Sequence, residues 1–521
     1  MQTEAIARVQ AEPGPARGLR RAVFIGAGPA IGGLVYLALG LAPGGLNEEA
    51  RRTAAVVVWV ACWWLLESLP LGATSLLPLV VLPALGATSL RDAALPYADR
   101  VIFLFMGGFL LALSIERWNL HKRIALNTVR LVGSSPTALV GGFMLATALL
   151  SMWMSNTATT LMMLPIGMSI IHLAESRTGQ PAGNFAVCLM LGIAYAASIG
   201  GIATPIGTPP NAVFLGFIDR QYDRSITFLD WVLFAAPLML AFVPIAWLIL
   251  TRVAYPVRLK VIPGGREMID RELQSLGRLT RAERLVLMVF GGTIACWMLR
   301  EPAMRLMMWE ANPQWLRSAG AVLNAGVDDT TIAILGAITL FLVPVNLKEG
   351  VFLLDARIWP KVPWDILLLF GGGLSMAAAI HSTKLGDYVG GQLAALGGLP
   401  PIAILLTVTT IAVFFSEFTG NTAQANIFLP ILATLAAAIG VEPFVLLVPC
   451  TLSFSLAFMM PMGTPPNALV FASGKVTIRQ MAWGGFLLNL VGIALVIALA
   501  YSVMPAVLGI GPGTADVAGT P

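Results

Sequence analysis

The chain has 521 residues, 57% of them hydrophobic and 11% charged, with a mean hydropathy of +0.82 and a formal net charge of +5. That charge content is about half of what a soluble globular domain carries, and uncharged runs recur along the whole length, which excludes a soluble enzyme. The basic excess is scattered over loops, where membrane orientation accounts for it and nucleic-acid binding does not, and the short period-2 segments of a transmembrane β-barrel are absent.

Residues 1–21 (MQTEAIARVQAEPGPARGLRR) read as a short basic leader, cytoplasmic, ahead of an uncleaved first helix. Spans are then predicted near 22–43, 53–69, 71–88, 101–118, 184–217 and 227–251. A basic cytoplasmic linker, 253–283, separates these from spans near 284–300, 330–347, 364–382, 443–474 and 481–507, and a tail covers 508–521. Two segments do not fit as single crossings. Residues 131–174 contain no Lys, Arg, Asp or Glu over 44 positions, and 393–441 contain one Glu. A continuous helix of that length would measure about twice the ~30 Å hydrocarbon core, so each is either two crossings or a re-entrant hairpin.

The distribution of Lys and Arg favours hairpins. With the N-terminus in the cytoplasm, 131–174 dipping in from inside and 393–441 from outside, 22 of the 32 Lys and Arg face the cytoplasm. The expected fold is thus an all-α polytopic membrane protein of about 11 transmembrane helices plus two re-entrant hairpins.

The chain repeats itself. "SNTATTLMMLPI" at 155–166 aligns with "GNTAQANIFLPI" at 420–431. The same offset carries Ser151 onto Ser416, and "FMGGF" (105–109) onto "FGGGL" (370–374). Further on, "PIGTPPNA" (205–212) recurs as "PMGTPPNA" (461–468). With hairpins entering from opposite sides, 22–252 and 284–507 form an inverted-topology repeat, an architecture of secondary transporters.

Non-helical backbone survives in hydrocarbon only where it lines a cavity. The "SNT" and "GNT" words sit where the hairpins must turn. In each "GTPPN" the prolines (Pro209–Pro210, Pro465–Pro466) cannot donate hydrogen bonds and leave carbonyls free. Carbonyls and the side-chain oxygens of Ser151, Ser155, Asn156, Ser416 and Asn421 suit a small hard cation. Helix N-termini and the hydroxyls of Thr157, Thr422, Thr208 and Thr464 suit an anion. One such motif alone reads as a kink or as interhelical glue. Two copies of both do not.

These residues resemble the divalent anion/sodium symporter (DASS) family, carriers of dicarboxylates, citrate or sulfate. "WWLLESLPLGATSLLPLVVLP" (63–83) and "VPWDILLLFGGGLSMA" (362–377) extend the likeness over nearly the whole chain. The resemblance implies eleven transmembrane helices, two hairpins and a homodimer, each protomer with a scaffold and a moving transport domain. It also implies one sodium site at Ser151, Ser155, Asn156 and Gly207 and a second at Ser416, Gly420, Asn421 and Gly463. Substrate would lie between Asn156, Thr157, Thr208 and Pro209 on one side and Asn421, Thr422, Thr464 and Pro465 on the other. The implied activity is import of a divalent anion, a C4-dicarboxylate such as succinate, coupled to sodium, across the bacterial inner membrane and with no organic cofactor. A sodium-independent dicarboxylate exchanger, or a sulfate or citrate carrier, is the alternative. Gly420 departs from the pattern, since the family has Ser in both hairpins, and this bears directly on sodium dependence.

Glu417, beside the second tip, is an intramembrane carboxylate whose role is either functional or that of a helix-end partner. His381 reads as a helix-end residue. The sequence lacks H-E-x-x-H, G-x-S-x-G and Walker A motifs, which argues against an enzyme or an ATP-driven pump. Paired hairpins argue against an open channel.

Overall fold

The computed structural model describes residues 15–41, 46–133, 135–259, 261–262, 264–393 and 398–509. The expected leader up to residue 14 and the tail from 510 lie outside them. The first half comprises α1 (Pro15–Leu41), α2 (Glu48–Leu65), α3 (Leu71–Thr74), α4 (Leu77–Ala84), α5 (Leu90–Ala94), α6 (Arg100–Arg117), α7 (Leu120–Val132), α8 (Pro136–Ser151), α9 (Asn156–Thr178), α10 (Asn184–Ile202), α11 (Pro209–Tyr222) and α12 (Phe228–Leu248). The second comprises α13 (Gly265–Ser275), α14 (Arg281–Met307), α15 (Gln314–Gly326), α16 (Asp329–Leu342), α17 (Trp364–Ser382), α18 (Leu385–Leu393), α19 (Pro401–Ser416), α20 (Asn421–Ala438), α21 (Pro443–Ser453), α22 (Pro465–Ala472) and α23 (Ile478–Leu508). A small antiparallel pair, β1 (Pro344–Asn346) with β2 (Val351–Phe352), follows α16.

The fold is an all-helical polytopic membrane protein. Helices long and apolar enough to cross a bilayer recur through the chain, and α1 displays Leu34, Leu37 and Leu41 on its surface. A soluble protein of this kind would aggregate through such a face; a bilayer covers it. Helix starts are fixed by polar caps at the ends of apolar runs. Asp99 caps α6 and Asp328 caps α16, while Thr227 with Asp230, Thr280 with Glu283 and Thr477 with Gln480 form capping boxes on α12, α14 and α23.

The breaks expected at the two GTPPN words are present, and some other boundaries differ from the sequence reading. The run 184–217 is broken after Ile202 and resumes at Pro209, and 443–474 is broken after Ser453 and resumes at Pro465. Both breaks end at a Thr-Pro-Pro, whose prolines can begin a helix but not continue one. The run 71–88 is two short helices, and the expected hairpins are helix pairs over 136–178 and 401–438. The linker 253–283 contains a helix, α13, and residues 120–132, between the predicted span 101–118 and the first hairpin run, form an amphipathic one, α7.

The core is organised around α10, buried from Phe185 to Ile202 and packed against α8, α9, α12 and α22. Ion pairs gather at the two ends of the bundle. At one end Arg220 meets Asp99 at 2.7 Å, Arg100 pairs with Asp219, and Arg300 lies 3.4 Å from Asp329. At the other, Arg117–Asp355, Arg123–Glu283, Arg130–Asp270 and Lys475–Glu175 lie within 2.7–2.9 Å. Exposed pairs contribute little stability each. Their placement marks where water begins on either side of an otherwise apolar body.

Candidate functional site

The first tip is the break between α8 and α9. Ser155 stands at the N-cap of α9, and its Oγ accepts from the Ala158 N–H at 3.2 Å. Ser151, the last residue of α8, donates its hydroxyl to Asn156 Oδ1 at 2.6 Å. Facing them is the break between α10 and α11, where the Thr204 hydroxyl donates to the Met152 carbonyl across the gap. Two glycines permit this approach. A Cβ on Gly201 would stand 2.5 Å from Asn156 Oδ1 and 3.1 Å from the Gly207 carbonyl oxygen; one on Gly207 would stand 2.5 Å from the Gly201 carbonyl oxygen. The oxygens of Ser151, Asn156, Gly201 and Gly207 are thereby gathered with no cationic side chain among them. This donor set suits sodium, which takes neutral oxygen ligands in a site that water has left. Trp153 steadies the tip, stacked on Phe228 at 6.0 Å and edge-on to Phe290 at 5.2 Å.

The broken helix leaves carbonyls at the end of α10 without helical donors. Asn211 supplies them. Its Nδ2 donates to the carbonyls of Thr204 (2.8 Å), Gly201 (3.3 Å) and Ile202 (3.4 Å), and the Trp231 indole also reaches Ile202 O at 3.0 Å.

The second half repeats this construction. Asn467 Nδ2 donates to Ala457 O at 3.0 Å and Met460 O at 3.1 Å, the equivalents of Gly201 and Thr204. Thr208 and Thr464 share one extended conformation, φ −143° with ψ 142° and 148°. Two differences in the motif residues, and a third beside them, stand out at the tip between α19 and α20: the missing cap at Gly420, and the separated partners Ser416 and Asn421. Gly420 occupies the N-cap of α20 and offers no side-chain acceptor. Ser416 donates to Val413 O of its own helix at 2.7 Å, and Asn421 Oδ1 is buried without a hydrogen-bond partner.

The third difference is Glu417, which occupies the place of Met152. Its carboxylate accepts from the consecutive backbone N–H groups of Phe458 (2.8 Å), Met459 (2.9 Å and 3.0 Å) and Met460 (3.0 Å), and from Asn489 Nδ2 at 2.7 Å. Three successive amides make a concave anion nest. The carboxylate therefore ties the second tip to the α21–α22 break and to α23 at once. It also lies beside Gly463, whose Cβ would be 3.2 Å from Glu417 Oε2. Of the two roles open to Glu417 in sequence, the structure places it as a partner of unpaired backbone. His381 lies in the last turn of α17.

The halves interlock. α11 packs against α20 and α22 against α9, so the helix after each break rests on a tip helix from the other part of the chain. Asn156, Thr157, Asn421 and Thr422 are half-buried in the first turns of α9 and α20; Thr208 and Thr464 are buried N-caps of α11 and α22, with Pro209 half-buried and Pro465 exposed after them. Four helix N-termini thus carry the predicted anion contacts. Two cavities lie along the hairpin helices without being lined by these residues, and only the first adjoins a tip. One, about 610 Å³, touches Met154 and Ala158 beside the first tip and is also lined by Lys122 and Glu272; the other, about 600 Å³, follows α20 from Pro430 to Ala438 and is also lined by His381 and Lys384. Gly201, Asn211, Asn467 and Asn489 were missed by sequence reasoning. Two of them, Asn211 and Asn467, were in view as the last letter of the repeated "GTPPN".

Residues 31–509 match the profile of a family described as the sodium:sulfate symporter transmembrane region. The chain belongs to this family, the divalent anion/sodium symporters. A Staphylococcus aureus relative, named sodium-dependent dicarboxylate transporter SdcS, is 40% identical over 474 residues, covering 90% of this chain and 88% of its own length. The Staphylococcus saprophyticus protein of the same name is 38% identical, covering 90% and 89%. Among solved structures, the Alcanivorax borkumensis YdaH transporter superposes with a TM-score of 0.55 at 15% identity, over 80% of this chain and 87% of its own. Neisseria gonorrhoeae MtrF gives 0.54 at 14% identity, over 81% and 84%. At such identities the two share the fold alone. Membership in the family makes the protein an integral membrane transporter and not an enzyme.

Proposed function

We propose that this protein imports C4-dicarboxylates such as succinate, driven by sodium, by alternating access. The observation that carries the reading is the doubled pairing of a hairpin tip with a broken helix, each flanked by oxygens and helix N-termini and free of basic side chains. The substrate dianion is held by amide and hydroxyl groups of Asn156, Thr157, Thr208, Asn421, Thr422 and Thr464, beside Pro209 and Pro465. Sodium at Ser151, Ser155, Asn156 and Gly207, and at Ser416, Gly420, Asn421 and Gly463, supplies the positive charge that the pocket lacks. The relatives' name, sodium-dependent dicarboxylate transporter, supports both the substrate class and the coupling ion. In this reading α8–α9 and α19–α20 are re-entrant hairpins of an inverted repeat. The N-terminus faces the cytoplasm of a bacterial inner membrane, and two chains form the working dimer.

A second reading, sodium-independent exchange of one dicarboxylate for another, is favoured by the second tip, where Gly420 lacks the hydroxyl and Ser416 turns into its own helix. Uptake of labelled succinate and sulfate into proteoliposomes separates these readings. Succinate accumulation that needs an inward sodium gradient supports the symporter; uptake that needs only internal dicarboxylate supports the exchanger. Sulfate uptake without succinate uptake would overturn the substrate assignment.

A further inference from the structure

α15 has no counterpart in the predicted spans, and its placement is unusual. Its axis is bent 76° from that of α16 across a break of two residues. α16 exposes Leu335, Ile338 and Leu342, and its 14 residues, about 21 Å, are followed by the extended Pro344–Asn346, about 10 Å more, so the two together match the ~30 Å hydrocarbon core. With α16 as the spanning element, the 76° bend lays α15 close to the membrane plane.

The angle is held, not loose. Arg300 donates to Val327 O at 3.0 Å and the Trp297 indole donates to Asp329 O at 2.9 Å, both within the junction. At the other end, Asn312 Nδ2 donates to Leu306 O at 2.6 Å and Met307 O at 3.2 Å, fixing the turn out of α14. Gly320 is the residue α15 buries, seated against Met307 and Met308.

The rest of the helix is amphipathic and, apart from half-buried Leu316 and Ala319, exposed. Trp315, Ala319, Val322 and Leu323 recur at helical spacing on one face, and Trp315 and Val322 are 71% and 72% exposed. Arg317 and Asn324 lie on the opposite face, and Trp309, also exposed, precedes the helix. Such a stripe would not stay in water. An amphipathic helix lying across the direction of its neighbouring span, with tryptophan at both the turn and the first helical turn, has the chemistry of the headgroup boundary.

We propose that α15 is an interfacial anchor, lying along the membrane surface with Trp315, Ala319 and Val322 sunk into the boundary between lipid headgroups and acyl chains. Arg317 on the far face reaches the headgroup phosphates, and the anchor fixes the depth of the Arg300–Asp329 junction beneath it.

The test places nitroxide labels on Trp315→Cys, Arg317→Cys, Val322→Cys and Asn324→Cys in turn. The full-length protein carries Cys62→Ser and Cys296→Ser and is reconstituted in liposomes; the remaining Cys188 and Cys450 are buried. Labels at 315 and 322 should collide with dissolved oxygen in preference to a water-soluble nickel chelate, and labels at 317 and 324 should show the reverse. Equal nickel access at all four positions would overturn the proposal, because the helix would then stand in water. Shielding of 315 and 322 from both reagents, with dipolar broadening between labels, would overturn it too, by assigning the stripe to a second copy of the chain.

Discussion

Gly420→Ser tests the asymmetry of the two tips directly. Gly420 has φ −66° and ψ 128°, close to the −59° and 142° of Ser155, so serine enters without backbone strain. An added Cβ meets nothing within 4 Å, which leaves the hydroxyl room to turn either way. Turned inward along the helix it would accept from Ala423 N–H, as Ser155 does from Ala158, and replace a glycine N-cap at a gain of a few tenths of a kcal/mol. Turned toward Asn421 and Gly463 it adds a cation ligand, about 1 kcal/mol or roughly fivefold in sodium affinity. The assay is sodium-dependent succinate uptake in proteoliposomes, with thermal unfolding in detergent measured alongside. The expected result is a fall in the sodium concentration for half-maximal uptake by up to about fivefold, while Ser155→Ala raises it. A more heat-stable Gly420→Ser with unchanged sodium dependence would refute the ligand assignment and leave the hydroxyl as a cap. Uptake indifferent to sodium in wild type and both variants would move the protein to the exchanger reading.

Asn156→Ala and Asn421→Ala should each abolish transport while the unfolding temperature stays near wild type; near-normal uptake by either would sink the site assignment. Gly201→Ala drives a methyl to 2.5 Å from Asn156 Oδ1 and should raise the sodium requirement far more than Gly420→Ser lowers it, as read in the same uptake assay. Glu417→Ala leaves the N–H groups of buried Phe458 and half-buried Met459 and Met460, and the buried Asn489 amide, without an acceptor and should destabilise the fold by about 3 kcal/mol; an unchanged unfolding temperature would contradict the clamp. Cysteines introduced near Arg271 and Lys348 should be labelled only from the cytoplasm and one near Arg317 only from outside, with the reversed pattern defeating the inverted repeat.

The membrane class and the two motif pairs were legible because they rest on features that no partner choice can alter: charge-free length, proline's missing N–H, and words that recur. The breaks at Thr208 and Thr464 follow from the prolines alone. What escaped were decisions between nearly equal partners. Nothing in "FFSEFTGN" says that Ser416 bonds Val413 while Ser151 bonds Asn156, nor that Glu417 finds three amides more than forty residues away. The short helices α7, α13 and α15 escaped for another reason. They are too polar or too brief to register as spans, and an interfacial helix differs from a loop only in a periodicity that 11 to 13 residues barely display.

The grip of Glu417 on Phe458, Met459 and Met460 has a kinetic consequence. Irregular backbone ordinarily opens by local fluctuation and exchanges its amide hydrogens early. Here three amides outside any helix are held by one carboxylate that is itself fastened to α23 through Asn489, so releasing any of them means pulling apart the tip, the broken helix and the last span together. In a deuterium time course this stretch would report the opening of the whole second half, and a loop by shape would keep time with the core.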